Sequence, residues 1–487
     1  MVPLEKDPHV RAWFERRRVL VVGLGKSGVA AARLLAGAGA RVSVTEKRSK
    51  EETRGWVRQL PPGTEVENGT HEFLSKHWDL LIVSPGVPSS LWAPARARGV
   101  PVWGELELGY RVLSLAGRWP ARSAAITGTN GKTTTTALLG AIFSASGRPT
   151  VVAGNIGLPL CAVVNKVTAE VALVLEVSSY QLETAETFRP AVGAVLNVTP
   201  DHLARHGTMD AYAASKFRLF QSQGTEDVAV LNAGDPWCRR LASSVPGKIY
   251  WVGERRPGPG FLWEGGWIRD NGLSGRWRPP PHLPGRHNID NALAAVACAR
   301  ALGVSGAAIA RGLADFRGVE HRLELVRTWN GVRFINDSKA TNVDSTRVAL
   351  DSFSGPLTVI LGGQDKGAPY TPLVRPLLDK AREVLLIGEA ADKIERDLLA
   401  GAVSGGPPRR GRAPRASRAP DLTEEKGKPH NNFTLVHCGT LRRALTHAAR
   451  TASHGEVVLF SPACASFDQF KDFEHRGRCF KKWVEEL

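Results

Sequence analysis

The chain has 487 residues, 43% of them hydrophobic and 23% charged, which is too long for one ordinary core and points to about three soluble α/β-sized domains. Its six cysteines are scattered with no C-x-x-C pair, the N-terminal residues lack the apolar core of a signal peptide, and no apolar run is long enough to cross a bilayer, so disulfide scaffolds, zinc ribbons and membrane spans are excluded and a cytoplasmic protein is expected. The net charge of +17 is concentrated in part at 401–430, which has seven Lys/Arg against three Asp/Glu; the rest is spread without a basic helix, so acidic small-molecule substrates are expected and nucleic acid is not.

In chain order, the apolar segments VLVVGLG, ARVSVTE and WDLLIVSPG alternate with helical stretches, the rhythm of a small doubly wound sheet. Gly23, Gly25 and Gly28 fit G-x-G-x-x-G, with Glu46 near the offset of a ribose-binding acid. That pattern serves either a nicotinamide dehydrogenase or any other ligand that rests a pyrophosphate on a helix N-terminus. After Gly104 a helix leads to the strand SAAITG and a second loop, Gly128-Thr129-Asn130-Gly131-Lys132-Thr133-Thr134. The loop is a P-loop variant, since Ile126 stands where the strict pattern has glycine. Its glycines free N–H groups for phosphate oxygens, Lys132 can reach the terminal phosphates, and the Thr133 hydroxyl can ligate Mg²⁺.

Further strands are predicted at VALVLEVSS, VGAVLNVT and DVAVLN, and a helix at NALAAVACARALG. The first of these ends at Glu176 and the second is followed by Asp201 and His202. Glu176 is a strand-end charge facing solvent or a carboxylate paired with a metal. His202 is a structural histidine or a site residue, and its position beyond a strand end favours the site. Lys216 by itself reads as a solvated helix lysine. From Val319 the strands GVRFIND, PLTVILGG, EVLLIG and GEVVLFSPA form a third unit. The segment 401–430, rich in Pro, Gly and Arg, is expected to be a disordered surface loop.

The segments GTNGKTT, EVSSYQLE, NVTPDHLARHG, the lysine of AYAASKFRLF, GRHNIDNALAA, EHRLE and NDSKATN occur in the order found in the Mur ligase family, which the chain resembles over nearly its whole length. The ending SPACASFDQFKDFEHRG is similar to the branch that adds D-glutamate, and the D-N-P-R segment of the diamino-acid-adding branch is missing. Ala204 departs from the aspartate that many relatives carry there. The resemblance implies three consecutive α/β domains: a Rossmann-like UDP-binding domain over 1–104, a central P-loop-type ATP-binding domain over 105–318, and a Rossmann-like amino-acid-binding domain over 319–487 with the insertion near 401–430.

It also implies an ATP-dependent ligase of peptidoglycan precursor synthesis that joins D-glutamate to UDP-N-acetylmuramoyl-L-alanine through an acyl phosphate, acting as a monomer. In that reading Lys26, Ser27, Thr45, Glu46, Lys47, Ser84, Gly86 and Asn155 surround the UDP substrate. ATP meets the second glycine loop with Asn288, Asn291, Arg322 and Asp337. Two Mg²⁺ ions are held by Thr133 and Glu176, and by His202 and a carbamylated Lys216. Lys339 adds positive charge near the transferring group, and D-glutamate meets Thr341, Lys366, Ser466, Phe467 and Phe473. A Mur-type ligase for another amino acid and a nicotinamide oxidoreductase are the alternatives.

Overall fold

The computed structural model describes residues 3–253, 258–272, 275–281, 283, 285–401, 409–410 and 433–487. Most of the 401–430 insertion therefore lies outside the described residues. The chain forms two compact units, Met1–Pro281 with Asn288–Phe316, and His282–His287 with Arg317–Leu487.

The first unit holds two sheets. One has five parallel strands in the order Glu65–Asn68, Arg41–Glu46, Arg18–Val22, Leu80–Val83, Val102–Gly104. Chain order reverses beside Arg18–Val22, so a crevice opens at the carboxyl ends of that strand and Leu80–Val83. The other has nine strands, with Ser123–Thr127 between Val192–Val195 and Ala172–Glu176. Ser123–Thr127 and Ala172–Glu176 are buried at every residue, as parallel strands covered on both faces must be, which is why they read as continuous apolar runs. A large apolar core, including Leu35, Leu106, Leu160 and Leu175, runs through this unit, beside a smaller one that includes Leu20, Trp78 and Trp92.

The second unit has a seven-stranded sheet in the order Glu324–Trp329, Val332–Asn336, Val457–Phe460, Leu357–Gly362, Ala381–Ile387, Thr434–Gly439, Arg409–Arg410. Its first two strands form a hairpin whose turn residues Asn330 and Gly331 both have positive φ, 48° and 77°. That is the backbone an Asn-Gly pair supplies most cheaply.

The α/β architecture matches the sequence expectation. Several strands lie outside the predicted set: Glu65–Asn68, Thr150–Gly154, Glu324–Trp329 and the antiparallel extension through Gly260–Glu264, Trp267–Asp270 and Arg276–Trp277. These strands lie at or near a sheet edge and carry exposed or half-buried positions, so they lack the long, fully buried apolar runs of the central strands. No helix among the described residues is long and apolar enough to cross a membrane.

Candidate active site

The central glycine loop joins Ser123–Thr127 to the helix Lys132–Ala145. Gly131 caps that helix with φ 86°, and a Cβ there would lie 2.1 Å from Asn291 Oδ1. Glycine is thus required twice, for its backbone and for its closeness to the Asn291 side chain. No side chain caps the helix, which leaves first-turn N–H groups available to an anion. Asn197 fixes the loop: its Oδ1 accepts from Asn130 N at 2.8 Å and its Nδ2 donates to Asn130 O at 3.1 Å. Lys132 Nζ donates to Gly128 O at 2.9 Å and Thr129 O at 2.8 Å, folding back over the loop. The Thr129 hydroxyl donates to Thr199 O at 3.1 Å, and Thr133 and Thr134 are buried in the first helical turn. Asn288 and Asn291, one turn apart on the helix Arg286–Ala301, are buried and bonded to each other at 3.1 Å.

Glu176 ends the strand beside the loop's own strand, in register with Ile126. It is only 2% exposed, so it does not face solvent. Its Oε1 accepts from Asn155 Nδ2 at 2.9 Å, while Oε2 is buried with no hydrogen-bond partner. A buried, half-satisfied carboxylate is expensive, and a cation would satisfy it. His202 is nearly half exposed, in the left-handed region at φ 54°, with Nε2 3.4 Å from Asp201 Oδ2.

Lys216 overturns its reading as a solvated helix lysine. On the helix Met209–Phe217 it is 1% exposed, with Nζ donating to Gly128 O at 3.0 Å and lying 4.3 Å from the centre of the Tyr212 ring. Burial pushes its pKa well below the usual lysine range; the Lys132 charge acts the same way and Asp201 opposes both. Lys132 and Lys216 thus share the Gly128 carbonyl as acceptor. Among the described residues no group of three or more His, Cys, Asp and Glu is arranged to hold a metal ion.

In the N-terminal crevice, Gly25 begins the helix Lys26–Gly37 without a side-chain cap, and Gly28 leaves room where a Cβ would lie 2.2 Å from Gly23 O. Lys26, Lys47 and Gly86 are exposed around this turn. Ser84 Oγ donates to Gly23 O at 2.9 Å. Thr45 is fully buried, its hydroxyl donating to Glu67 Oε2 at 2.6 Å. Glu46 is also buried: its Oε2 accepts from Leu24 N at 2.6 Å and its Oε1 from Arg48 Nε at 3.1 Å. Burial alone would raise this carboxyl, but donation from Arg48 and Leu24 outweighs it and holds the pKa at about 2. Thr45 and Glu46 therefore brace the turn from beneath, while Lys26, Ser27 and Lys47 lie at its surface.

In the second unit, Asp337 is buried, accepting from Ser461 Oγ at 2.7 Å and from Leu323 N at 3.2 Å. Burial raises its pKa to about 6, against the attraction of Arg322. Lys339 Nζ lies 5.5 Å from the centre of the Phe473 ring, and Thr341 N donates to Lys339 O at 2.9 Å. Phe467 is exposed, Ser466 buried and Lys366 exposed on the loop after Leu357–Gly362.

Arg476, which was not among the predicted site residues, ties these loops together. It is 1% exposed, donating to Ser338 Oγ at 3.0 Å, Ser338 O at 2.8 Å, Cys464 O at 3.1 Å and Ala465 O at 3.1 Å. The loop of Lys339 and Thr341 and the loop of Ser466 and Phe467 thus share one guanidinium. Arg476 lies within the segment SPACASFDQFKDFEHRG, but its burial is not legible there, since an arginine in an amphipathic helix is ordinarily exposed.

Three Mur ligase family descriptions match the chain: the MurD-like N-terminal domain over 17–104, the middle domain over 126–256, and the glutamate ligase domain over 321–464. The chain is 41% identical over 486 residues to the UDP-N-acetylmuramoylalanine--D-glutamate ligase of Koribacter versatilis, covering 97% of this chain and 98% of the relative. It is 45% identical over 488 residues to the protein of that name from Anaeromyxobacter dehalogenans, covering 96% and 97%. The crystal structure of UDP-N-acetylmuramate-alanine ligase from Thermotoga maritima shares the fold, with a TM-score of 0.58 at 20% identity over 97% of this chain and all of that one.

Proposed function

The chain belongs to the Mur ligase family, and on that premise we infer that it joins D-glutamate to UDP-N-acetylmuramoyl-L-alanine at the expense of ATP. The product is UDP-N-acetylmuramoyl-L-alanyl-D-glutamate, an intermediate of peptidoglycan precursor synthesis, released with ADP and phosphate. The observation that carries this reading is the near-complete match, over all three sheets, to relatives bearing that activity in their names. The domain division at about 104 and 318 belongs to the same reading, as does a monomer working in the cytoplasm.

The substrate's alanine carboxylate is a poor electrophile. An oxygen of that carboxylate attacks the γ-phosphorus of ATP and ADP leaves, giving an acyl phosphate. The amine of D-glutamate then attacks the carbonyl carbon, and the tetrahedral intermediate expels phosphate. Catalysis of this kind depends on positioning and on offsetting phosphoryl charge. The glycine loop Gly128–Thr134 cradles the ATP phosphates, Lys132 swings from its loop carbonyls to the terminal phosphate, and Asn288 and Asn291 support the loop beneath the nucleotide. Arg322 and Asp337 are assigned in this reading to the γ-phosphate and the ribose.

The unpartnered Glu176 Oε2 fits a cation, and with the Thr133 hydroxyl it would hold one Mg²⁺. His202 and the carbamate of Lys216 would hold a second. Mg²⁺ bound there offsets the charge that builds on the transferring phosphoryl group. An ammonium has no lone pair, so Lys216 must first lose its proton and take up CO₂, and its burial favours the neutral amine that reacts. Lys26, Ser27 and Lys47, with the first-turn N–H groups of the Lys26–Gly37 helix, take the uridine diphosphate, and nicotinamide has no part. Thr341, Lys366 and the Ser466–Phe467 loop receive D-glutamate, whose two carboxylates need cations and donors.

The test uses substrate labelled with ¹⁸O in the alanine carboxylate. One labelled oxygen in each phosphate released with product supports the acyl-phosphate route. Product formation with unlabelled phosphate overturns it.

A further inference from the structure

The loop Gln364–Pro369 carries Lys366 and has no helix or strand of its own, and residues 365–369 are exposed. Such a loop presents a side chain in a defined direction only where its backbone is tethered. One tether is at its start, where Gln364 N donates to Ala465 O at 2.9 Å and Ala465 N donates to Gln364 O at 3.1 Å. Another is at its end, where the buried Tyr370 donates its N–H to Asp397 Oδ2 at 2.9 Å.

The span between these ends is held by Lys393, from the helix Ala391–Gly401. Its Nζ donates to both carboxylate oxygens of Asp365, at 3.1 and 2.9 Å, and to Ala368 O at 3.1 Å. Tyr370 completes the arrangement, its hydroxyl donating to Asp365 Oδ1 at 2.9 Å. Lys366 lies between two points gripped by the same ammonium, Asp365 and Ala368.

We propose that Lys393 is a positioning residue for the amino-acid pocket: by clamping Asp365 and Ala368 it sets the direction from which Lys366 meets a carboxylate of D-glutamate. The inference rests on the reading above that Lys366 receives that carboxylate. Lys393 touches no substrate in this account; its effect passes through the loop. The Lys393–Asp365 pair is about one-third exposed on both sides, so it adds little to global stability. Small displacements of a binding group are costly to function, so the consequence falls on one substrate.

The experiment is steady-state kinetics on the full-length enzyme, varying each substrate in turn, for Lys366→Met, Lys393→Met, Lys393→Arg and Asp365→Asn. Lys393→Met is expected to raise the D-glutamate KM about tenfold, leaving kcat and the KM values for ATP and the UDP substrate within about twofold. Lys393→Arg should recover most of the loss, and Asp365→Asn should reproduce it, which covers the case in which Lys393→Met fails to fold. If Lys366→Met raises the D-glutamate KM while Lys393→Met and Asp365→Asn leave it unchanged, the clamp is overturned and the pocket stands. If Lys366→Met itself leaves that KM unchanged, the pocket reading fails and the clamp with it. A parallel rise of all three KM values marks a merely structural residue and also overturns the proposal.

Discussion

The Nζ of Lys216 lies 3.0 Å from the carbonyl oxygen of Gly128, so a buried lysine from a separate helix grips the glycine loop that opens the central helix. As an ammonium it is a strained choice for that place, because burial and the neighbouring Lys132 both disfavour its charge. In the proposed reading carbamylation would replace that cation with an anionic oxygen ligand, whose charge a bound Mg²⁺ would balance. Purified enzyme supplied with ¹³C-bicarbonate is expected to show a carbamate carbon resonance by NMR. The resonance should vanish in Lys216→Ala, with kcat falling at least about 10²-fold. Its absence in active wild-type enzyme would count against the modification.

Glu176 separates activity from stability. Its Oε2 is buried without a hydrogen-bond partner, and Gln would remove the charge while retaining an acceptor for Asn155. Glu176→Gln should lower kcat by on the order of 10²–10³. Without Mg²⁺ the same variant should be more stable than wild type by about 1 kcal/mol, read from thermal or urea unfolding. Loss of both activity and stability would mean that Glu176 serves the fold.

Glu105 predicts a pH effect with a defined sign. It is 2% exposed, its Oε1 accepts from Cys161 N at 2.6 Å and its Oε2 has no partner, and burial raises its pKa to about 7. A raised carboxyl pKa means that the folded state binds more protons than the unfolded one, so this group costs stability as pH climbs from about 4.5 through 7. Glu105→Gln should therefore stabilise the protein at pH 8 by on the order of 2–3 kcal/mol, with the gain gone near pH 4. Unfolding midpoints of the two proteins across that range decide it.

Gly131 tests the loop geometry. Its φ of 86° and the Asn291 oxygen 2.1 Å from an added Cβ leave no room for a side chain. Gly131→Ala should lose about 1–2 kcal/mol of stability and raise the KM for ATP, because the helix terminus proposed to face the phosphates must shift. An unchanged KM for ATP would place the nucleotide elsewhere.

What the sequence disclosed, and what it withheld, follows from the range of the forces involved. Parallel strands such as Ala172–Glu176 announce themselves because both faces are buried, and the turns at Gly23 and Gly131 because positive φ favours one residue type. Edge strands such as Glu65–Asn68 carry no such mark. Glu176 was recognisable because a carboxylate after an apolar run needs a partner, whereas Lys216 stood out only through the family resemblance, since only the tertiary fold takes its helix face out of water. Arg476, Asn197 and Lys393 act through partners distant in sequence, and no local pattern foretells such contacts. Glu46 was legible as a residue of the first crevice, yet the fold turns its carboxylate inward to Leu24 and Arg48.

The selectivity proposed for this chain is for D-glutamate and no other amino acid. It is tested most directly by measuring phosphate release from ATP and Mg²⁺ with UDP-N-acetylmuramoyl-L-alanine, offering D-glutamate, L-glutamate, L-lysine or meso-diaminopimelate in separate reactions. Release is expected with D-glutamate alone, together with a product heavier than the substrate by one glutamyl residue. Release sustained by a different amino acid, or by none of them in folded enzyme, would contradict it.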